Sequence, residues 1–315
     1  MIIIGDTIMQ IPGYFEDMNY LHVNTEPDRA YYIPASGKGC YFLDREKSDR
    51  FLLLSGSWQF QYFESVYDLP QEFWKEGAGK GKEVQVPAVW QSYGVDGNQY
   101  INTRYPFPFD PPYVPRENPC GLYERSFEYK CCLDAPEAFL NFEGVDSCFY
   151  VWINGIFVGY SQVSHSTSEF HITRYLKEGE NRLTVLVLKW CDGSYLEDQD
   201  KLRMSGIFRD VYVLRRPKEA VRDYFIRCPF MATAVPMAGS VCLTRRERQS
   251  GNRAGTKQQI GIKYGFIWKT AACGPQKRPG FIPLRSRPKR NGSPTDLASV
   301  RFLWKTVFCL STKHR

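Results

Sequence analysis

The sequence predicts an all-β chain, a two-sheet jelly-roll sandwich followed by a poorly structured basic tail. Three observations carry this. Short alternating or uniformly apolar segments recur from Ser57 to Leu214, separated by turn residues. Two of them are joined directly by Asn154-Gly155, a pair that accepts the positive φ angles of a tight hairpin turn. Charge is divided along the chain: of 41 Lys+Arg and 34 Asp+Glu, residues 228–315 hold 17 and 2 (net +15), leaving 24 and 32 (net −8) on residues 1–227.

Residues 1–50 read as an N-terminal arm and 51–218 as the sandwich. Ser57–Phe63 alternates bulky and polar residues, as a half-buried strand does. Glu83–Val86 is a short strand stopped by Pro87. Leu122–Tyr129 alternates again, and Ala138–Glu143 and Cys148–Ile153 are apolar and aromatic. Ile156–Tyr160 follows the Asn-Gly turn. Arg182–Trp190 and Ile207–Leu214 are rich in β-branched residues, which favour strands. The six prolines of Tyr105–Pro119 remove ladder donors, so that segment is expected to run over the surface as an extended arm. From 219 onward the reading is the start of a further domain, then a basic tail; residues 228–315 show no sustained alternation and no helical stripe.

Composition excludes several classes. Hydrophobics at 43% and charges at 24% fit a globular chain and exclude wholesale disorder. No run approaches the roughly 18 apolar residues of a spanning helix, so no membrane partner is expected. Ile2–Ile4 is too short for a signal-peptide core. With ten scattered Cys and no C-x-x-C, the expectation is reduced thiols and a cytoplasmic setting. The tail has two readings: an out-of-register continuation, or a basic arm whose densest patch is Arg285, Arg287, Lys289 and Arg290. The first is favoured, and no nucleic-acid partner is expected.

Few side chains suggest chemistry by themselves. His22, His165, His171 and His314 have no metal-ligand spacing. Glu197, Asp198 and Asp200, beside Lys201, Arg203 and Arg209, read as a structural ion-pair network rather than an acid/base pair. Trp58, Trp90, Trp152 and Trp190 are candidate sugar platforms, with core packing the better reading for Trp152 and Trp190 inside apolar strands. Asp192-Gly193 reads as a turn after a strand, and Asn102 as a loop asparagine.

Three strings change the weight of those last two. Val86–Pro112 (VPAVWQSYGVDGNQYINTRYPFPFDPP), Asn141–Gln162 (NFEGVDSCFYVWINGIFVGYSQ) and Asp192–Arg209 with Asp210-Val211 (DGSYLEDQDKLRMSGIFRDV) resemble the N-terminal sugar-binding jelly roll, a galactose-binding-like fold, of family 2 glycoside hydrolases. The likeness is to the bacterial β-galactosidase branch, not to the β-glucuronidases or β-mannosidases. It covers about residues 15–226 and stops near Ile226.

The resemblance implies hydrolysis of terminal β-galactosides by a retaining mechanism. Its two glutamates come from a following (β/α)₈ barrel that nothing here matches, so the chain alone is expected to be inactive. The resemblance implies that Asp192 and Asn102 contact the sugar and that Asp192 ligates a sodium ion, with the family's magnesium site outside this chain. Implied partners are a β-galactoside, the remaining domains of the enzyme and further copies in a homo-oligomer. The alternative is a stand-alone carbohydrate-binding sandwich. Asp192 is expected to be exposed and solvated at the end of its strand.

Overall fold

The computed structural model describes residues 3–4, 7–8, 10–37, 41, 44–76, 79, 81–100, 103–197, 200, 202–227, 238–245 and 260–265. In chain order the strands are β1 (Ile3–Ile4), β2 (Thr7–Ile8), β3 (His22–Val23), β4 (Phe51–Leu53), β5 (Gly56–Phe63), β6 (Lys82–Val86), β7 (Gln99–Tyr100) and β8 (Cys120–Tyr129). There follow β9 (Glu137–Phe142), β10 (Val145–Asp146), β11 (Cys148–Ile153), β12 (Ile156–Gln162), β13 (Ser168–His171) and β14 (Gly179–Leu188). The last are β15 (Leu202–Arg203), β16 (Gly206–Ile207), β17 (Val211–Arg216), β18 (Val221–Arg227), β19 (Ala238–Arg245) and β20 (Ile260–Gly265).

A seven-stranded antiparallel sheet runs β3-β12-β11-β14-β8-β5-β6, and a four-stranded one runs β13-β9-β17-β4. Between them lies a core that includes Trp58, Phe60, Phe142, Phe149, Val151, Phe170, Val185 and Val213. The expected all-β sandwich is therefore present. The outer face of the large sheet is also covered. Alternate residues of the same strands, among them Tyr150, Trp152, Leu186 and Leu188, pack against Ile11, Phe15, Val66, Leu69 and Phe73. Burial on both faces explains why Cys148–Ile153 is uniformly apolar instead of alternating: all six residues are buried. The four tryptophans Trp58, Trp90, Trp152 and Trp190 are all buried, so none offers a ring to a ligand.

The Asn-Gly turn forms as expected, with φ +52° at Asn154 and +78° at Gly155. Asn154 Oδ1 also accepts from Arg182 N–H at 3.0 Å and its Nδ2 donates to Tyr175 O at 3.0 Å, tying the hairpin to β14. The expected Ile207–Leu214 strand is broken in two. Phe208 and Arg209 turn to donate backbone N–H groups to Gly144 O, and Asp210 accepts from Arg45 and Ser55 Oγ. Tyr105–Pro119 forms no strand, consistent with its prolines.

Among the described residues, 29–32, 37, 41, 219–227, 238–245 and 260–265 belong to a second unit. Within it, β18, β19 and β20 form a three-stranded antiparallel sheet. Ala30 N–H donates to Asp223 Oδ1 at 2.7 Å and Tyr224 hydroxyl to Tyr31 O at 3.0 Å. The sequence reading found no strand beyond residue 228. Two occur, in short runs such as Val241-Cys242-Leu243-Thr244 that basic neighbours obscure. The basic patch Arg285, Arg287, Lys289 and Arg290, like His314, lies outside the described residues.

Candidate functional site

β14 ends at Leu188, and four residues later a single 3₁₀ turn, Asp192–Tyr195, begins. Its cap is reciprocal: Cys191 N–H donates to Ser194 Oγ at 3.1 Å, and Ser194 N–H to Cys191 O at 2.8 Å. Gly193 is required by space, because a Cβ there would fall inside van der Waals contact with Gln162 Oε1. Asp192 Oδ1 accepts the Gly193 N–H at 2.8 Å, and the Gln162 side chain is its second partner. Gln162 is held in turn, its Nε2 donating to Tyr20 O at 3.2 Å and its Oε1 accepting from Cys191 Sγ at 3.3 Å.

Asp192 is buried, at 9% exposure, which corrects the expectation of a solvated carboxylate. The cause is the N-terminal segment. Its turn Tyr14–Glu16 packs beside Asp192–Tyr195, and the Tyr20 carbonyl reaches Gln162. Burial raises the Asp192 carboxyl above its ordinary value and the nearby Asp17 raises it further, while the Gln162 and Gly193 hydrogen bonds oppose this. Glu16 is raised mainly by burial and additionally by Asp192; its bond from Val114 N–H (3.0 Å) opposes the shift. Glu16 and Asp17 thus both lie close to Asp192. Among the described residues no Lys, Arg or His pairs with any of them, and no set of three His, Cys, Asp or Glu side chains is close enough to enclose a metal ion.

Asn102 lies outside the described residues. The short strand that precedes it in the sequence is described: β7 pairs with β15, placing Tyr100 opposite Leu202 and Gln99 opposite Arg203. The Tyr100 hydroxyl donates to the Asp200 carboxylate, and that bond pushes the phenol's pKa above its ordinary value. The carboxylate tied to β7 is therefore Asp200. Composition gave no sign of this; only the β7–β15 register reveals it.

Of the ion-pair network expected of Glu197, Asp198 and Asp200, the described residues show the hydrogen bonds of Glu197 and Asp200. Glu197 accepts from Ser164 N–H (3.0 Å) and Oγ (3.1 Å), and Asp200 takes Tyr100. Arg209 donates to the Glu143 and His165 carbonyls, and Arg203 lies over the Trp190 ring at 5.8 Å. Asp198 and Lys201 lie outside the described residues.

The proline-rich arm closes this end of the sandwich. Tyr195 hydroxyl donates to Tyr113 O at 2.5 Å and accepts from Asp110 N–H at 3.2 Å. Phe107 and Phe109 stand edge-on to its ring at 5.1 and 5.5 Å. Asp200 and Tyr100, both exposed, offer carboxylate and phenol oxygens that suit a polyhydroxylated ligand, since such oxygens accept hydroxyl hydrogens.

Residues 51–217 match the model for glycosyl hydrolases family 2, sugar binding domain. A β-galactosidase of Actinobacillus pleuropneumoniae is 54% identical over 226 residues, 70% of this chain and 22% of that protein. One of Staphylococcus xylosus is 51% identical over 213 residues, 67% of this chain and 21% of that protein. The chain thus spans about a fifth of the length of the curated relatives it matches. Among solved structures, a Bifidobacterium dentium β-glucuronidase aligns with TM-score 0.48 and 17% identity, over 63% of this chain and 36% of that one. No helix of the described residues is long and apolar enough to cross a membrane.

Proposed function

Because the chain belongs to glycosyl hydrolase family 2 through its sugar-binding domain, we propose that it supplies the non-catalytic side of a β-galactoside site in a β-galactosidase. The observation that carries this is the 54% identity to a β-galactosidase across the whole sandwich. In retaining hydrolysis one carboxylate attacks the anomeric carbon and a second protonates the leaving oxygen, the pair standing about 5–5.5 Å apart across the bond. The described carboxylates near this end hold other duties: Asp192 is buried, Glu197 holds Ser164 and Asp200 holds Tyr100. Both reacting groups then belong to sequence that follows in the family.

The domain's part is positioning. Asp200, exposed beside Tyr100, accepts sugar hydroxyls, and Asn102, two residues beyond Tyr100, can donate and accept at once. Asp192, the sugar contact that the resemblance implies, opens the 3₁₀ turn Asp192–Tyr195. Sodium at Asp192 suits the donor chemistry: hard carboxylate and amide oxygens, and a local excess of negative charge that no cationic side chain among the described residues offsets. A bound cation would neutralise that charge. Asp192, Asp17 and the Gln162 amide would hold it.

The test is binding of a non-hydrolysable thiogalactoside to this chain assembled with the remaining four-fifths of a relative. Asp200→Asn should weaken binding about tenfold or more, the scale of a lost charge-assisted hydrogen bond. Equal binding by wild type and Asp200→Asn would remove the proposed contact.

A further inference from the structure

The N-terminal segment crosses from one sheet to the other along a single edge of the sandwich. His22 and Val23 pair with Ser161 and Tyr160 at the edge of the seven-stranded sheet. Asn24 then turns the chain, with φ +60° and its Nδ2 donating to Val158 O at 2.9 Å. Thr25 bridges Phe170, and Glu26 N–H donates to Glu169 O at 2.7 Å, both on β13 at the edge of the four-stranded sheet. The crossing leaves a cleft of about 290 Å³ whose lining includes His22, Thr25, Pro27, Asp28 and Ser168. That volume sits at the small end of ligand pockets, about 300–1,000 Å³, so the cleft has room for a small molecule.

The direction of each hydrogen bond fixes what the cleft presents. Ser161, fully buried, has one hydroxyl hydrogen, and it goes to Gln162 O at 3.3 Å. Its oxygen therefore accepts from both remaining neighbours, Ser168 Oγ–H at 2.7 Å and His22 Nδ1–H at 2.8 Å. Burial pushes the His22 imidazole below its ordinary value, which Asp28 opposes, so at neutral pH the ring carries one proton, on Nδ1. Its Nε2 is left as an acceptor. Ser168, itself 6% exposed, turns its hydrogen inward and offers the cleft lone pairs. Asp28, exposed in the same lining and close enough to His22 to act on its proton, adds a carboxylate. No Lys or Arg lines the cleft.

We propose that this cleft binds the primary ammonium group of a small amine, with Ser168 Oγ, His22 Nε2 and the Asp28 carboxylate each accepting one N–H. A primary ammonium carries three donors and no acceptor, which matches three acceptors. A sugar hydroxyl brings one hydrogen and an oxygen that calls for a donor, and Ser168 and His22 have no hydrogen left to give it. An anion would meet the Asp28 carboxylate with no fixed cation opposite. None of the lining residues belongs to the Asp192–Tyr195 turn, β7 or β15, so the site stands apart from the galactoside reading.

The experiment titrates the full 315-residue chain with butylammonium chloride at neutral pH and follows the imidazole C–H resonances by NMR, that of His22 assigned by its loss in His22→Gln. The His22 resonance should move and saturate. Tetramethylammonium, which carries the same charge without an N–H, should bind tenfold or more weakly. Asp28→Asn should weaken butylammonium about tenfold or more, the scale of a lost charge-assisted hydrogen bond. Ser168→Ala should weaken it severalfold, and Glu180→Gln, an exposed acid on β14, should leave it unchanged. Asp28 is exposed, so Asp28→Asn tests the site even where Ser168→Ala unfolds the sandwich edge. A His22 resonance that does not move, equal binding of the two cations, or unchanged binding in Asp28→Asn would overturn the assignment. So would displacement of butylammonium by methyl β-galactopyranoside, since the occupant would then be a sugar. Tighter binding of Nα-acetyl-lysine methylamide than of butylammonium would put the ammonium on a polypeptide lysine and refute the small amine.

Discussion

Asp192→Asn should stabilise the chain at neutral pH, the reverse of what removing a carboxylate usually does. Asp192 is buried beside the half-buried Glu16 and Asp17, with no cationic partner among the described residues, and burial raises its carboxyl above the ordinary value. A raised folded-state value means that the folded state holds the proton more tightly than the unfolded chain. The ionised group therefore costs stability at pH 7, and the cost vanishes as pH falls through the raised value to below the ordinary one. Asparagine keeps an Oδ1 acceptor for the Gly193 N–H, which now donates at 2.8 Å, and drops the charge. The net gain should be about 0.5–1 kcal/mol, roughly 1–4 °C in Tm for a domain of this size. Asp192→Ala also drops the charge but strands the Gly193 N–H, a loss of about 1–3 kcal/mol, so it should be neutral or destabilising. The assay is thermal unfolding followed by circular dichroism at pH 7 and pH 4, in sodium-free buffer containing chelator. The asparagine gain should shrink at pH 4. A variant that melts several degrees below wild type at pH 7, or a gain that does not change with pH, would refute the reasoning.

Other outcomes follow from packing. Gly193→Ala forces a Cβ against Gln162 Oε1 and should cost about 1–3 kcal/mol, read as a drop in denaturation midpoint. Leu186→Ala, fully buried on the outer face of the large sheet, should cost about 2–5 kcal/mol in urea unfolding. Glu169→Gln breaks the buried pair with Arg216 (2.6 Å) and should cost about 3–5 kcal/mol; a smaller loss would mean that solvent reaches the guanidinium.

Much of the fold was legible because strands obey local rules. The Asn154-Gly155 turn fixed one hairpin, and β-branched runs located β14 and β17. The short edge strands were not: Ser168–His171 and Phe51–Leu53 are too brief for periodicity to show, and they exist because β9 and β17 offer open edges. The split of Ile207–Leu214 was hidden because it depends on Gly144 O and Arg45, far away in sequence. The candidate site was less legible. Asp192 looked solvated since nothing local shows that residues 14–20 cover it. Asp200 looked like one acid in a cluster until the Tyr100 hydroxyl of β7 proved to donate to it.

The most direct test of the account is hydrolysis of an aryl β-galactoside by the purified chain, alone and after adding a relative's remaining domains. The account predicts background rates alone and activity on assembly that Asp200→Asn lowers. Turnover by the isolated chain, abolished by Glu197→Gln or Asp192→Asn, would contradict it.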